Sequence, residues 1–158
     1  MNDLPAAAQR VADSALALGL PVAIRVMPEA TRTASDAAQA CGCPVGAIVK
    51  SLIFRGKDSG RPYLFLVSGA NRVNENAMAG PLGEAIVRPD AAFVREATGF
   101  AIGGIPPFGH GTPLVPYIDA DLLQYDTVWA AAGTPSAVFP VDPRRLQTAT
   151  GAIVIGVK

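Results

Sequence analysis

Residues 47–54, AIVKSLIF, and residues 63–69, YLFLVSG, decide the fold. Each is a short, nearly apolar run rich in β-branched and aromatic side chains and bounded by turn residues, the pattern of a strand buried in a core. Lys57-Asp58-Ser59-Gly60 lies between them and supplies the turn, so the two runs predict two core strands. One residue breaks the first run. In an extended backbone Lys50 shares a face with Ile48, Leu52 and Phe54, where an ammonium group is costly unless it has a partner or an anionic ligand. Two readings follow: a lysine at a strand mouth that snorkels to water, or a cation kept for a ligand.

Working outward from this pair, Leu4, Ala8, Val11, Ala15 and Leu18 recur at helical spacing, and Gly19 follows where a left-handed cap falls. Residues 22–27, VAIRVM, predict a short strand, and Thr33 with Asp36 resembles a capping box for a helix ending near Gly42. Toward the C-terminus the patterns predict a strand at Ala85 to Val87, a helix from Ala91 to Ala97 closed by Gly99, and strands near Val115 to Ile118, Val128 to Ala132 and Ala137 to Phe139. A last helix follows Asp142-Pro143, and a strand at Ile153 to Val157 closes the chain. Strands outnumber helices and the two do not strictly alternate, which predicts an α+β fold with a curved, mixed sheet. No repeat or linker divides residues 1–158, so a single domain is expected.

Half of the 158 residues are apolar, enough for a sizeable core. The 13 basic and 13 acidic residues cancel, which disfavours a DNA-coating or membrane-surface role but permits a local basic cluster. Cys41 and Cys43 are separated by one glycine, too close for an ordinary disulfide, and read as free structural thiols. With no basic-plus-apolar leader and no apolar run of about 18 residues, neither export nor membrane spanning is indicated and a cytoplasmic location is expected. His110 is the only histidine, which excludes metal sites built from several imidazoles and would have to serve any Ser-His-Asp triad alone. GxSxG, HExxH and P-loop patterns are absent, so neither metal nor cofactor is expected.

A second stretch, FAIGGIPPFGHGTPL at residues 100–114, sets Gly103, Gly104, Gly109 and Gly111 among Pro106, Pro107 and Pro113. Such a segment is neither regular helix nor strand. Glycine lets backbone N–H groups approach and face an oxygen, and proline keeps the loop rigid, which suits a cradle for the developing oxyanion of ester hydrolysis. A rigid surface connection fits the same composition.

Taken together, IVKSLIF (48–54), YLFLVSGANRV (63–73), GFAIGGIPPFGHGTPLVPYID (99–119) and VWAAAGTPSAVF (128–139) resemble the YbaK and ProX family, relatives of the editing domain inserted in bacterial prolyl-tRNA synthetases. The resemblance runs from about residue 20 to the end and rests on the order and separation of the lysine and the GxxxP loop, here Gly103 to Pro107. It implies a barrel-like mixed sheet flanked by helices, and hydrolysis of the ester joining a wrong amino acid to tRNA, typically tRNA(Pro), without a metal. It further implies that Lys50 contacts the substrate near its terminal adenosine, that the GxxxP loop positions the ester, and that the adenosine's own 2′-hydroxyl helps water attack.

On this reading Lys50 holds the substrate and the Gly103 and Gly104 amides stabilise the oxyanion. Ser51, Pro107 and His110 are candidates to line the substrate pocket, and Asn71 with Arg72 to meet phosphate or sugar. The near-neutral charge makes a protein partner, a synthetase or an elongation factor, plausible for tRNA binding. Two other functions stay open: a non-catalytic module binding tRNA or a synthetase, and a hydrolase of small-molecule esters.

Overall fold

The computed structural model describes residues 4–28, 30–31 and 33–158. Helix α1 (Ala6–Ala17) buries Ala8, Val11 and Ala15, the stripe expected from the spacing, and Gly19 closes it with φ 72°. Strand β1 (Arg25–Val26) precedes α2 (Ala34–Cys41), whose N-cap Thr33 accepts a 3.0 Å hydrogen bond from the Asp36 N–H. The anticipated pair follows as β2 (Ile48–Gly56) and β3 (Pro62–Ser68), antiparallel in register from Val49↔Ser68 to Arg55↔Pro62. Next come α3 (Glu75–Leu82), β4 (Ile86–Val87), α4 (Ala91–Thr98), β5 (Tyr117–Asp119), β6 (Val128–Ala131), β7 (Ala137–Val141), α5 (Pro143–Thr150) and β8 (Ile153–Ile155).

The eight strands form one mixed sheet in the order β1-β7-β6-β2-β3-β5-β8, with β4 added to β2. β2 runs parallel to β6, and β5 is parallel to both β3 and β8, while the hairpins β2–β3 and β6–β7 are antiparallel. The α+β architecture is therefore the one expected. Val49, Ile53, Leu64, Leu66, Ile118, Ala130 and Phe139 point from five strands into one large core, which α1, α4 and α5 enter through Val11, Val94 and Leu146. The opposite face carries two smaller clusters, one around Phe54, Phe65 and Met78, the other around Ile48, Trp129 and Val138.

One predicted element differs and one element was not predicted. The run at 22–27 forms only a two-residue strand, because just Arg25 and Val26 come into register with β7 at the sheet's edge. Val22 and Ile24 instead pack against the core without strand pairing. Helix α3 was not anticipated, since Gly80 and Pro81 lie inside it and Met78 is its one buried residue. Asn74 secures its start by accepting a 3.1 Å hydrogen bond from the Ala77 N–H.

One irregularity of the sheet positions the site. On one side β2 is paired with β3 throughout, but on the other it meets β6 only at Ile48 and Val49 and β4 only at Arg55 and Gly56. Between these points residues 50–54 have no strand on that side among the described residues, and the sheet is breached.

Candidate active site

Lys50 stands at this breach. It is half-buried on the face of Ile48 and Leu52, opposite Val67 of β3, and its Nζ donates to the Asn71 carbonyl at 2.5 Å. Burial holds the amine below its ordinary pKa, Arg72 adds repulsion in the same direction, and Asp119 opposes both. An ammonium has three donors, so two remain for a ligand.

The Asn71 carbonyl is itself fixed. Asn71 Nδ2 donates to Asp119 Oδ2 at 2.9 Å and to Asp121 Oδ2 at 2.8 Å. Asp119, 2% exposed, also accepts from the Ser68 N–H at 3.1 Å and from the Asp121 N–H at 3.0 Å. A buried carboxylate with this many donors is fully compensated and clamps the turn after β3 that orients Lys50. Asn71 thus serves as an anchor for the lysine, with its amide turned toward the two aspartates. Asp119 escaped the sequence reading: an acid after a short strand looks like a surface residue, and its partners lie about 50 positions away.

Two cavities meet at Lys50, Ser51, Leu52, Ile102 and Ile105, forming a cleft with two lobes. The first, of about 320 Å³, adds Arg72, Val73, Arg88 and Val94. Among the described residues three cations and no carboxylate line it, although Arg88 also pairs with Glu75 at 3.2 Å. The second, of about 260 Å³, is walled by Ala37, Ile48, Trp129, Ala130 and Val138, with Thr31 and Thr33 at its rim. Among the described residues no Asp, Glu, His or Cys lines either lobe, and no cluster of three or more such residues could hold a metal ion.

The glycine loop closes over this cleft, and its two central glycines have different environments. Gly103 lines the second lobe with φ 96°, a backbone conformation that residues other than glycine rarely adopt. Its N–H has no hydrogen-bond acceptor among the described residues. The Gly104 N–H is already used, donating to the Ala101 carbonyl at 3.1 Å, while the Gly104 carbonyl accepts from the Gly133 N–H at 2.9 Å. A Cβ on Gly104 would come within 2.8 Å of the Gly133 carbonyl and the Thr134 backbone. Gly104 therefore lets two loops approach, and the anticipated pair of free amides reduces to the one at Gly103.

The structure does not bring Pro107 or His110 to this place. Both line a separate groove of about 350 Å³ with Ser14, Leu18 and Leu114. His110 Nε2 donates to the Pro106 carbonyl at 2.7 Å, and burial holds the imidazole below its ordinary pKa. The thiols are equally remote from chemistry: burial pushes Cys41 up to about 11 and raises Cys43, so neither is an activated nucleophile.

Residues 28–149 match the aminoacyl-tRNA editing domain family. The chain belongs to this family. Among solved structures, a candidate trans-editing enzyme for prolyl-tRNA synthetase is 46% identical to this editing domain, covers 99% of each chain and superposes with a TM-score of 0.93. The hypothetical protein APE2540 is 33% identical over 94% of this chain and 98% of its own, with a TM-score of 0.86. The uncharacterized protein YwhH of Bacillus subtilis (strain 168) is 29% identical over 100 residues, which span 63% of the editing domain and 63% of YwhH. No helix among the described residues of the editing domain is long and apolar enough to cross a membrane.

Proposed function

We propose that this editing domain acts in trans as an aminoacyl-tRNA deacylase, removing a small wrong amino acid from tRNA(Pro) in the cytoplasm. The observation that carries the reading is the joining of a cationic lobe and an apolar lobe at Lys50. The cationic lobe suits the terminal adenosine and its phosphate, and Lys50, Arg72 and Arg88 supply charge where the neutral molecule as a whole does not. The apolar lobe suits a short side chain. Similarity to a candidate trans-editing enzyme for prolyl-tRNA synthetase supports tRNA(Pro) as the carrier, and a synthetase or elongation factor as the partner that delivers it.

Water adds to the ester carbonyl, the Gly103 N–H faces the oxygen that gains charge, and Lys50 holds the adenosine end. The acyl C–O bond then breaks, a proton passes to the departing 3′-oxygen, and the products are a free amino acid and tRNA. No carboxylate, imidazole or thiol lines the cleft among the described residues, so this chemistry depends on positioning and electrostatics, with the 2′-hydroxyl beside the ester helping water attack.

The test is a panel of tRNA(Pro) charged in turn with alanine, cysteine, serine, threonine, 2-aminobutyrate and proline. Rapid deacylation of one or more wrong amino acids, with prolyl-tRNA spared, is expected. Indifference to the tRNA portion, or binding without turnover, would overturn the reading.

A further inference from the structure

The breach in the sheet leaves main-chain groups of β2 unpaired in the middle of the cleft. Their direction follows from hydrogen bonds at the two ends of the strand. The Ile48 carbonyl accepts from the Gly69 N–H at 2.7 Å, and the Gly56 N–H donates to the Arg61 carbonyl at 2.8 Å, so even-numbered residues of β2 bond toward β3. The Lys57 N–H donates to the Ala85 carbonyl at 2.8 Å on the other side, so odd-numbered residues face away from β3. Val49 and Arg55 have β6 and β4 there, but Ser51 and Ile53 have no strand on that side among the described residues. Their N–H and C=O groups have no hydrogen-bond partner among the described residues, and the Ser51 hydroxyl beside them is also buried without one.

Unpaired polar groups in an apolar wall are expensive, and five such groups on two alternate residues of one strand edge point to a ligand that completes them. The spacing limits its chemistry. A carbonyl at one position and an N–H two residues on, on the same strand edge, together bind one residue of a parallel neighbour, whose N–H goes to the carbonyl and whose C=O goes to the N–H. Parallel pairing is already the pattern here, since β6 lies parallel to β2 and leaves it at Val49.

We infer that the unpaired edge of β2 recognises the α-amino acid part of the substrate as though it were one strand residue, the Ser51 carbonyl and hydroxyl accepting from its α-ammonium and the Ile53 N–H donating to its ester carbonyl. This rests on the deacylase reading and deepens it. Recognition depends on the free α-amino group and not on the side chain, so any aminoacyl group small enough for the apolar lobe is held in one orientation. The Ile53 N–H adds a second main-chain donor at the reacting carbonyl alongside Gly103.

The experiment uses a non-hydrolysable mimic of the charged 3′ end, 3′-deoxy-3′-alanylamido-adenosine, added to ¹⁵N-labelled protein, with its N-acetyl and lactyl counterparts as controls. The alanyl mimic is expected to shift the Ile53 amide resonance. Loss of the ammonium is expected to weaken binding by about tenfold or more, as is Ser51→Ala for the alanyl mimic, in keeping with a hydrogen bond to a charged group. Absence of binding, an unmoved Ile53 amide, or equal affinity for all three mimics overturns the inference. Binding of the predicted kind without deacylation of any charged tRNA would instead sink the deacylase reading and leave this one intact.

Discussion

A single charge decides most of what the site can do. Lys50 was legible in the sequence because a cation inside an apolar run needs a reason, whereas the carboxylate that sets its geometry, Asp119, becomes visible only when Ser68 and Asn71 fold onto it. Lys50→Ala is expected to lower kcat/KM for mischarged tRNA by about tenfold to a hundredfold, the worth of one hydrogen bond to a charged group; a wild-type rate would refute the assignment. Because burial and Arg72 lower the Lys50 pKa, the ammonium is lost at a lower pH than an ordinary lysine would lose it. Activity should therefore fall on the alkaline side as pH rises through that lowered pKa. Lys50→Arg, which stays charged, should keep part of the activity and remove this alkaline limb from the pH profile. The glycine loop was legible as a cradle but not in its division of labour, since nothing in the AIGGIPP run at residues 101–107 tells a free amide from an engaged one. Gly104→Ala places a methyl group against backbone that cannot yield, and about 1–3 kcal/mol of stability should be lost in denaturant unfolding, with activity falling too. Ordinary stability in that variant would contradict the close approach to Gly133 and Thr134.

At the level of elements, the sequence was most readable where local chemistry and long-range packing agree. Thr33, Asp90 and Asp142 cap α2, α4 and α5 with their own side chains, and glycines in the left-handed region close all three. Helix α3 lacked that agreement, for Pro81 argues against a helix and almost nothing in it is buried. The β2–β3 hairpin, which carries Lys50, shows a tie the sequence could not reveal. Glu84, from the loop before β4, accepts from the Asp58 and Ser59 N–H groups at 3.0 and 2.9 Å and from the Ser59 and Tyr63 hydroxyls at 2.6 and 2.7 Å. These donors, the Ser59 hydroxyl foremost, hold its carboxyl down at about 2 against an ordinary 4.5. A depressed folded-state pKa contributes stability that is fully present above 4.5 and is lost as pH falls toward 2. Glu84→Gln should consequently flatten the decline in urea midpoint across that window. An unchanged acid limb would mean that the carboxylate is not a tie of the hairpin.

At the scale of the whole molecule, formal neutrality and a nucleic-acid ligand are reconciled by where the charges sit. Thirteen basic and thirteen acidic residues produce no net charge, yet the lobe at Lys50 collects Lys50, Arg72 and Arg88 with no carboxylate in its lining among the described residues. Composition could exclude a general polyanion-binding surface but could not find this cluster, because Lys50, Arg72 and Arg88 come from β2, the turn after β3 and the segment following β4. A small cationic cluster makes a quantitative prediction. Each neutralised phosphate of a single-stranded end contributes about −0.7 to the slope of log K against log salt, so three cations give at most about −2. Binding of a tRNA 3′ end, measured by titration across a range of KCl concentrations, should show a slope no steeper than this. In the Arg72→Ala, Arg88→Ala double variant it should become shallower by about 1.4, with Lys50 left in place. A slope several times steeper would mean that the tRNA body lies on some broader surface, and that the protein engages its substrate without the help of a synthetase or elongation factor. A shallow slope with weak affinity is what a domain needs if a partner delivers the tRNA and the cleft has only to recognise the charged end.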